Sequence, residues 1–201
     1  MLILLKYEPF LGTLEIAPAT FPLIIKTLLS PLLIFITYWH GQLDLLPTVF
    51  VADYQTRGRG QHSRFWESKT GGLYYSLLIN DPLTVTKDSS FTTLVAQRLG
   101  NIIFDITEMT VKVEWPNDLI VQDKKLGGIL CERGTYHLSR NFLVIGIGLN
   151  LNQLEFSDNL QASAISLRQI TGKEYNKTVF IESITKELTS WLCEEFVVRS
   201  Q

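Results

Sequence analysis

Cysteine is scarce in this chain of 201 residues: Cys131 and Cys193 stand 62 positions apart, and no second cysteine or histidine is spaced from either like a metal clamp. That excludes a disulfide framework and a cysteine zinc site, and it fits a reducing cytoplasm. A surplus of one charge is lacking too, since 18 Lys+Arg face 20 Asp+Glu for a formal net charge of −2. A dedicated nucleic-acid binder carries a basic excess over its domain, so that class is disfavoured. Long apolar runs are also missing. Met1–Leu5 is too short to span a bilayer, and Thr20 to Trp39 is cut by Pro22, Lys26 and Pro31, where a spanning helix needs about 20 largely uninterrupted apolar residues. No cleavage site follows a basic start, and no repeat or low-complexity linker is visible. What is present, 46% hydrophobic and 19% charged residues, describes one globular domain. The length gives room for one good core and not for two large domains.

Ser30-Pro31 followed by Leu32, Leu33, Phe35 and Ile36 has the N-cap serine and first-turn proline of a helix start, with Gly41 or Pro47 as its end. Thr48–Ala52 and Leu73–Ile79 are rich in β-formers and flank a polar stretch, Asp53 to Thr70, which predicts a long loop between two strands. Ser89–Ile106 places Phe91, Leu94, Val95, Leu99, Ile102 and Ile103 at helical spacing, predicting a core-facing helix. Val111–Trp115, Leu119–Gln122 and Leu126–Glu132 are short extended pieces separated by Pro116-Asn117 and Asp123-Lys124, which predicts an antiparallel meander. Phe142–Asn152 alternates, with Ile145, Ile147, Leu149 and Leu151 on one face and Gly146, Gly148, Asn150 and Asn152 on the other. From Asn176 onward, Phe180, Ile184, Leu188, Leu192 and Phe196 mark an amphipathic helix. This mix of elements suggests a sheet with helices packed on one side.

Three constellations carry chemistry. Arg57-Gly58-Arg59-Gly60-Gln61-His62-Ser63-Arg64 holds three arginines and two glycines without a carboxylate. Such a segment suits an anion, because glycine lets backbone N–H groups approach closely and arginine supplies planar, permanent charge. It is neither a P-loop nor a dinucleotide fingerprint, and a solvated surface loop has the same composition. The second is Trp115-Pro116-Asn117-Asp118-Leu119 with Lys125-Leu126-Gly127-Gly128-Ile129-Leu130, whose hairpin returns Lys125 beside Asn117 and Asp118. A lysine next to bare backbone can neutralise a carboxylate or phosphate oxygen, although Asn-Asp can simply make the turn and lysines commonly decorate an edge. The third is the glycine face of Phe142–Asn152, which a flat ligand ring, another backbone, or a tight sheet–helix contact would explain.

In order, Asp53-Tyr54-Gln55-Thr56-x-Gly58-Arg59-Gly60-x-x-x-Arg64-x-Trp66, Trp115-Pro116-Asn117-Asp118, Lys125-Leu126-Gly127-Gly128-Ile129-Leu130 and Ile145-Gly146-Ile147-Gly148-Leu149-Asn150 resemble the biotin–protein ligases. The resemblance covers roughly residues 48–200. It implies an α+β fold, a mixed and mostly antiparallel sheet with helices packed on it, shared with class II aminoacyl-tRNA synthetases and lipoate ligases. It implies a biotin–[acetyl-CoA-carboxylase] ligase that joins biotin to ATP as biotinyl-5′-AMP and passes the biotinyl group to a lysine of a carboxylase carrier domain. Arg59, Arg64 and Lys125 are the candidate catalytic cations. By resemblance, Gln55, Arg59, Gly60, Gln61, Lys125, Gly128 and Ser30 contact biotin, and Arg59, Arg64, Trp66, Asn117, Asp118 and Asn150 serve the nucleotide. Asp118 is the candidate for Mg²⁺ brought with ATP. The competing implications are a non-catalytic relative that binds biotin or an adenylate, and a lipoate–protein ligase on the same fold.

The sequence departs from the family at named places. Gln61 replaces an arginine of the loop, Ser63 a glycine, and Glu114 a lysine before Trp-Pro-Asn-Asp. With one cation fewer at the adenylate, weaker retention of biotinyl-AMP and some labelling of nearby lysines are expected. The family's Ser-Thr-Asn motif is reduced to Ser30-Pro31-Leu32, and residues 1–47 are divergent. The expected organisation is a single catalytic domain over 1–201, without an amino-terminal helix-turn-helix or a carboxy-terminal SH3-like barrel. The expected setting is a cytoplasmic monomer or homodimer with no membrane or nucleic-acid partner. His40, His62 and His137 receive no role.

Overall fold

The computed structural model of the chain describes residues 3–5, 14–16, 23–25, 47–81, 89–136 and 140–199. Ser30, the helix expected after it, His40 and His137 lie outside the described residues. The chain forms two compact units, each from two segments. The first comprises Met1–Asn80 and Leu130–Gly148, the second Asp81–Ile129 and Leu149–Gln201.

The first unit is built on strands β1 (Ile3–Leu5), β2 (Leu14–Ile16), β3 (Leu23–Ile25), β4 (Thr48–Ala52) and β5 (Leu73–Asn80). Antiparallel pairing joins β1 to β2, β2 to β3 and β4 to β5, whereas β3 runs parallel to β4. Part of the apolar run from Thr20 is thus sheet. Leu73 to Ile79 is buried without alternation, so both faces of β5 are covered, as a near-continuous apolar strand requires.

In the second unit, β6 (Lys112–Glu114), β7 (Asp118–Val121) and the start of β8 (Lys124–Tyr136) form the antiparallel meander expected from their turns. The strand β8 passes on into the first unit, where it neighbours β9 (Arg140–Leu149) and β9 neighbours β5. On β9, Ile145, Ile147 and Leu149 are buried, as the alternation predicts.

Helix α1 (Ser89–Thr107) buries Phe91, Val95, Ala96, Leu99, Ile102 and Ile103, in keeping with its period. Leu94 is the exception: it was expected in the core and is exposed, because Phe91 marks one edge of the buried stripe centred near Val95 and Leu99, and position 94 falls beyond that edge. The long helix α3 (Lys177–Arg199) buries Phe180, Ile184, Leu188 and Leu192 against that core. Within this unit the Trp191 ring stacks on Phe91 with centroids 5.4 Å apart, and the Arg98 guanidinium lies 4.4 Å over the same ring. A short helix before it, α2 (Leu167–Thr171), went unpredicted, yet Ser166-Leu167-Arg168-Gln169 is a capping box that marks its start. Gly172 ends it in the left-handed conformation (φ 72°). Among the described residues no helix is long and apolar enough to cross a membrane.

Candidate active site

The polar stretch after β4 is not an open loop. Gln55 N–H donates to Ser68 O (3.0 Å), Trp66 N–H to Gly58 O (3.0 Å) and Gly60 N–H to Arg64 O (2.7 Å), and Arg59 bridges Phe65. These bonds fold Gln55–Ser68 into a narrow ribbon, closed by a tight turn at Gln61–Ser63 in which His62 is left-handed (φ 54°). Backbone pairing within the ribbon offsets the cost of holding so many polar groups. Gly58 is obligatory to it: a Cβ there would lie 2.4 Å from both Ser68 Oγ and Trp66 O. Ser68, buried, donates its hydroxyl to Gln55 Oε1 at 2.7 Å and so fixes that carboxamide.

The ribbon presents its cations outward. Arg64 is exposed, and Arg59 Nη2 reaches Glu132 Oε1 on β8 at 2.8 Å. Trp66 turns the other way, onto the bare backbone of β9. A Cβ on Gly148 would sit 2.7 Å from Trp66 Cε2 and 2.8 Å from Cζ2. The glycine face of β9 therefore seats a side chain of the chain itself. On the same face, a Cβ on Gly146 would meet Leu130 O at 3.3 Å.

The second unit organises the remaining candidates around Lys125. Asn150, 4% exposed, donates from Nδ2 to Lys125 O (3.2 Å) and receives Gln153 Nε2 on its Oδ1 (3.2 Å). Lys125 N–H donates to Ser163 O (2.8 Å), and Ile165 N–H returns to Lys125 O (3.0 Å). With its backbone fixed on three sides, Lys125 projects its ammonium to within 2.7 Å of Asp118 Oδ1, with the two side chains 33% and 27% exposed. The contact is an ion pair rather than an aligned hydrogen bond. Asn117 is held by a reciprocal pair, Nδ2 to Ile129 O (3.1 Å) and Ile129 N–H to Asn117 O (3.0 Å). Gly128 faces Asp118 in the register, and the exposed Glu114 also pairs with Asp118 across β6 and β7.

Residues 38–152, more than half the chain, match the Biotin/lipoate A/B protein ligase family. The chain belongs to that family. It is 35% identical over 140 residues to the bifunctional ligase/repressor BirA of Bacillus subtilis, covering 68% of this chain and 43% of the relative. It is 39% identical over 111 residues to biotin–protein ligase 2 of Arabidopsis thaliana, covering 52% of this chain and 33% of the relative. Among solved structures, the biotin protein ligase of Aquifex aeolicus in complex with biotin and ATP superposes with a TM-score of 0.72 at 32% identity, covering 84% of this chain and 68% of that one. The chain spans less than half the length of these two curated relatives.

For this family member the candidates fall into two groups. One unit gathers Gln55, Arg59, Gly60, Gln61, Arg64 and Trp66; the other gathers Asn117, Asp118, Lys125, Gly128 and Asn150. Three participants were not anticipated from sequence. Glu132 is separated from Arg59 by 73 positions, Ser68 looked like loop filler, and Gln153 lies beyond the recognised motif. Ser68 and Gln153 sit among polar neighbours, a pattern too common to single them out, and Glu132 lies in a strand between Cys131 and Arg133 with no local cue at all.

Proposed function

We propose that this chain carries the catalytic site of a biotin–protein ligase. Biotin carboxylate would attack the α-phosphorus of ATP and expel pyrophosphate; a lysine amine of a carboxylase carrier domain would then attack the acyl carbon, release AMP and lose a proton. The observation that carries the reading is the fixing of Lys125 by Asn150 and the 163–165 segment, in a chain 32% identical to a ligase solved with biotin and ATP. An ammonium with a pinned backbone is preorganised for a developing anion and needs little reorganisation when charge moves.

In this reading Lys125 neutralises the biotin carboxylate and then the bridging oxygen of the adenylate, while Arg59 and Arg64 take the phosphate oxygens. Cations are needed because the carboxylate and the triphosphate repel each other. Gln55, its oxygen already accepting from Ser68, offers its N–H groups to biotin, with Gly60, Gln61 and Gly128 as further proposed biotin contacts. Asn117 and Asp118 serve the nucleotide, Asn150 keeps one N–H for it beyond the bond to Lys125 O, and Trp66 shelters the mixed anhydride from water. Ser30 remains a proposed biotin contact.

The residues do not build a resident Mg²⁺ site. Among the described residues no three His, Cys, Asp or Glu side chains stand together, and Asp118 is engaged by Lys125. Magnesium would enter as the substrate Mg·ATP, held chiefly by phosphate oxygens. The test is transfer: purified chain, biotin, Mg·ATP and a carrier-domain fragment should give one biotinylated carrier lysine. Labelling with lipoate instead, or binding of biotin without any transfer, would replace this reading with one of its two rivals.

A further inference from the structure

We infer that Glu132 is the positioning residue of Arg59, an inference that rests on the function proposed above. Arg59 leaves the ribbon from a backbone fixed on both sides by the Trp66–Gly58 and Gly60–Arg64 bonds, so the root of its side chain is set. The direction of the rest is not. A long arginine in water samples many rotamers, and an anion that recruited it would have to order it. Glu132 removes that freedom. Its Oε1 takes Arg59 Nη2 at 2.8 Å, and of the two side chains the carboxylate is the more withdrawn, 25% exposed against 40%. It stands on β8 beside Arg133 and Cys131, within regular strand, and so forms the fixed end of the pair.

The contact uses a single nitrogen. A guanidinium presents five N–H donors in a planar fork, so holding it at Nη2 leaves Nε and Nη1 to face an oxyanion. A carboxylate gripping both ends of the fork would have occupied the cation; one gripping one end aims it. An ion pair this exposed contributes little to folding stability. Its effect is therefore expected in ligand handling and not in melting.

The experiment is a double-mutant cycle with Glu132→Ala, Arg59→Ala and the double variant, plus Glu132→Gln, which keeps an acceptor oxygen at the same place. Two readouts are taken: KM for ATP in biotin-dependent pyrophosphate release, and the half-life of bound synthetic biotinyl-AMP. Glu132→Ala should raise KM or shorten the half-life about two- to thirtyfold, with an unchanged melting temperature, and should cost nothing further in the Arg59→Ala background. Glu132→Gln should restore most of the loss. Additive losses, a Glu132→Ala variant equal to wild type, or a Glu132→Gln variant no better than alanine would overturn the inference. If alanine lowers the melting temperature, the glutamine variant decides. A wild-type chain that holds biotinyl-AMP but releases no pyrophosphate overturns the proposed function and leaves the cycle readable by half-life; a chain that does neither overturns both.

Discussion

Gly148→Ala probes the seating of Trp66 on β9 through both melting and ligand retention. The added Cβ would lie 2.7 Å from Trp66 Cε2 and 2.8 Å from Cζ2 and Nε1, whereas carbon atoms in contact prefer about 3.5–4.0 Å. Something must yield by about 1 Å. The strand cannot easily, because its neighbours Ile147 and Leu149 are buried. The Trp66 backbone is tied to Gly58 O, so the ring itself must swing about its side-chain torsions. Overpacking of this kind costs about 1–3 kcal/mol, and the half-buried Trp66, whose Nε1 is itself buried, must shift its surroundings to make room. For a chain of this size each kcal/mol lowers the melting temperature by about 2–4 °C. The variant should therefore fold, melt a few degrees lower, and lose its grip on biotinyl-AMP. In a Trp66→Ala background the same substitution should be nearly silent in melting. If Gly148→Ala melts and holds biotinyl-AMP like wild type, or costs as much without Trp66 as with it, the assignment of the glycine face to Trp66 is wrong.

Other outcomes follow from the same geometry. Lys125→Ala should slow biotin-dependent pyrophosphate release by about 10²–10³-fold, the usual loss for one preorganised charge-stabilising donor, with little change in urea midpoint since the ion pair to Asp118 is part-exposed; turnover within threefold of wild type would remove Lys125 from the mechanism. Ser166→Ala deletes a 2.6 Å bond to Gln153 O and the acceptor of the Gln169 N–H cap, so urea unfolding should show a loss of about 1–3 kcal/mol, and a loss below 0.5 would contradict the capping account. Gln61→Arg returns a cation to the ribbon turn and should lengthen the half-life of bound biotinyl-AMP while reducing self-labelled lysines seen by mass spectrometry. No self-labelling by the wild-type chain would show that Gln61 carries no such penalty.

Period and turn chemistry made the frame readable. Thr48–Ala52 needed no adjustment, α1 ends one residue beyond the expected Ile106, and Pro116-Asn117 turned the chain where expected. The second turn sits one residue earlier than Asp123-Lys124, at Gln122-Asp123 with both residues left-handed, and Lys124 already belongs to β8. Local pattern failed where distant partners decided the outcome. The arginine segment looked like a loop because its apolar content is low, but its order comes from backbone bonds between Gln55–Gly60 and Arg64–Ser68, which leave no mark in hydropathy. The glycines of β9 announced a close approach without saying of what; for Gly148 the answer, Trp66, lies over 80 positions upstream, and for Gly146 it is the Leu130 backbone. Leu94 satisfied the helical spacing and still faces solvent, because a stripe fixes a face only to within its edges. At the site, residue identities were readable from ordered motifs, while the anchoring of Lys125 through Asn150 to Gln153 depended on contacts that only the folded chain supplies.

The most direct test of the account is biotin-dependent release of pyrophosphate from Mg·ATP by the purified chain, with lipoate in place of biotin as a parallel reaction. The account predicts release with biotin, little with lipoate, and loss of the signal in Lys125→Ala. A folded chain that releases no pyrophosphate with either acid would contradict the proposed adenylation.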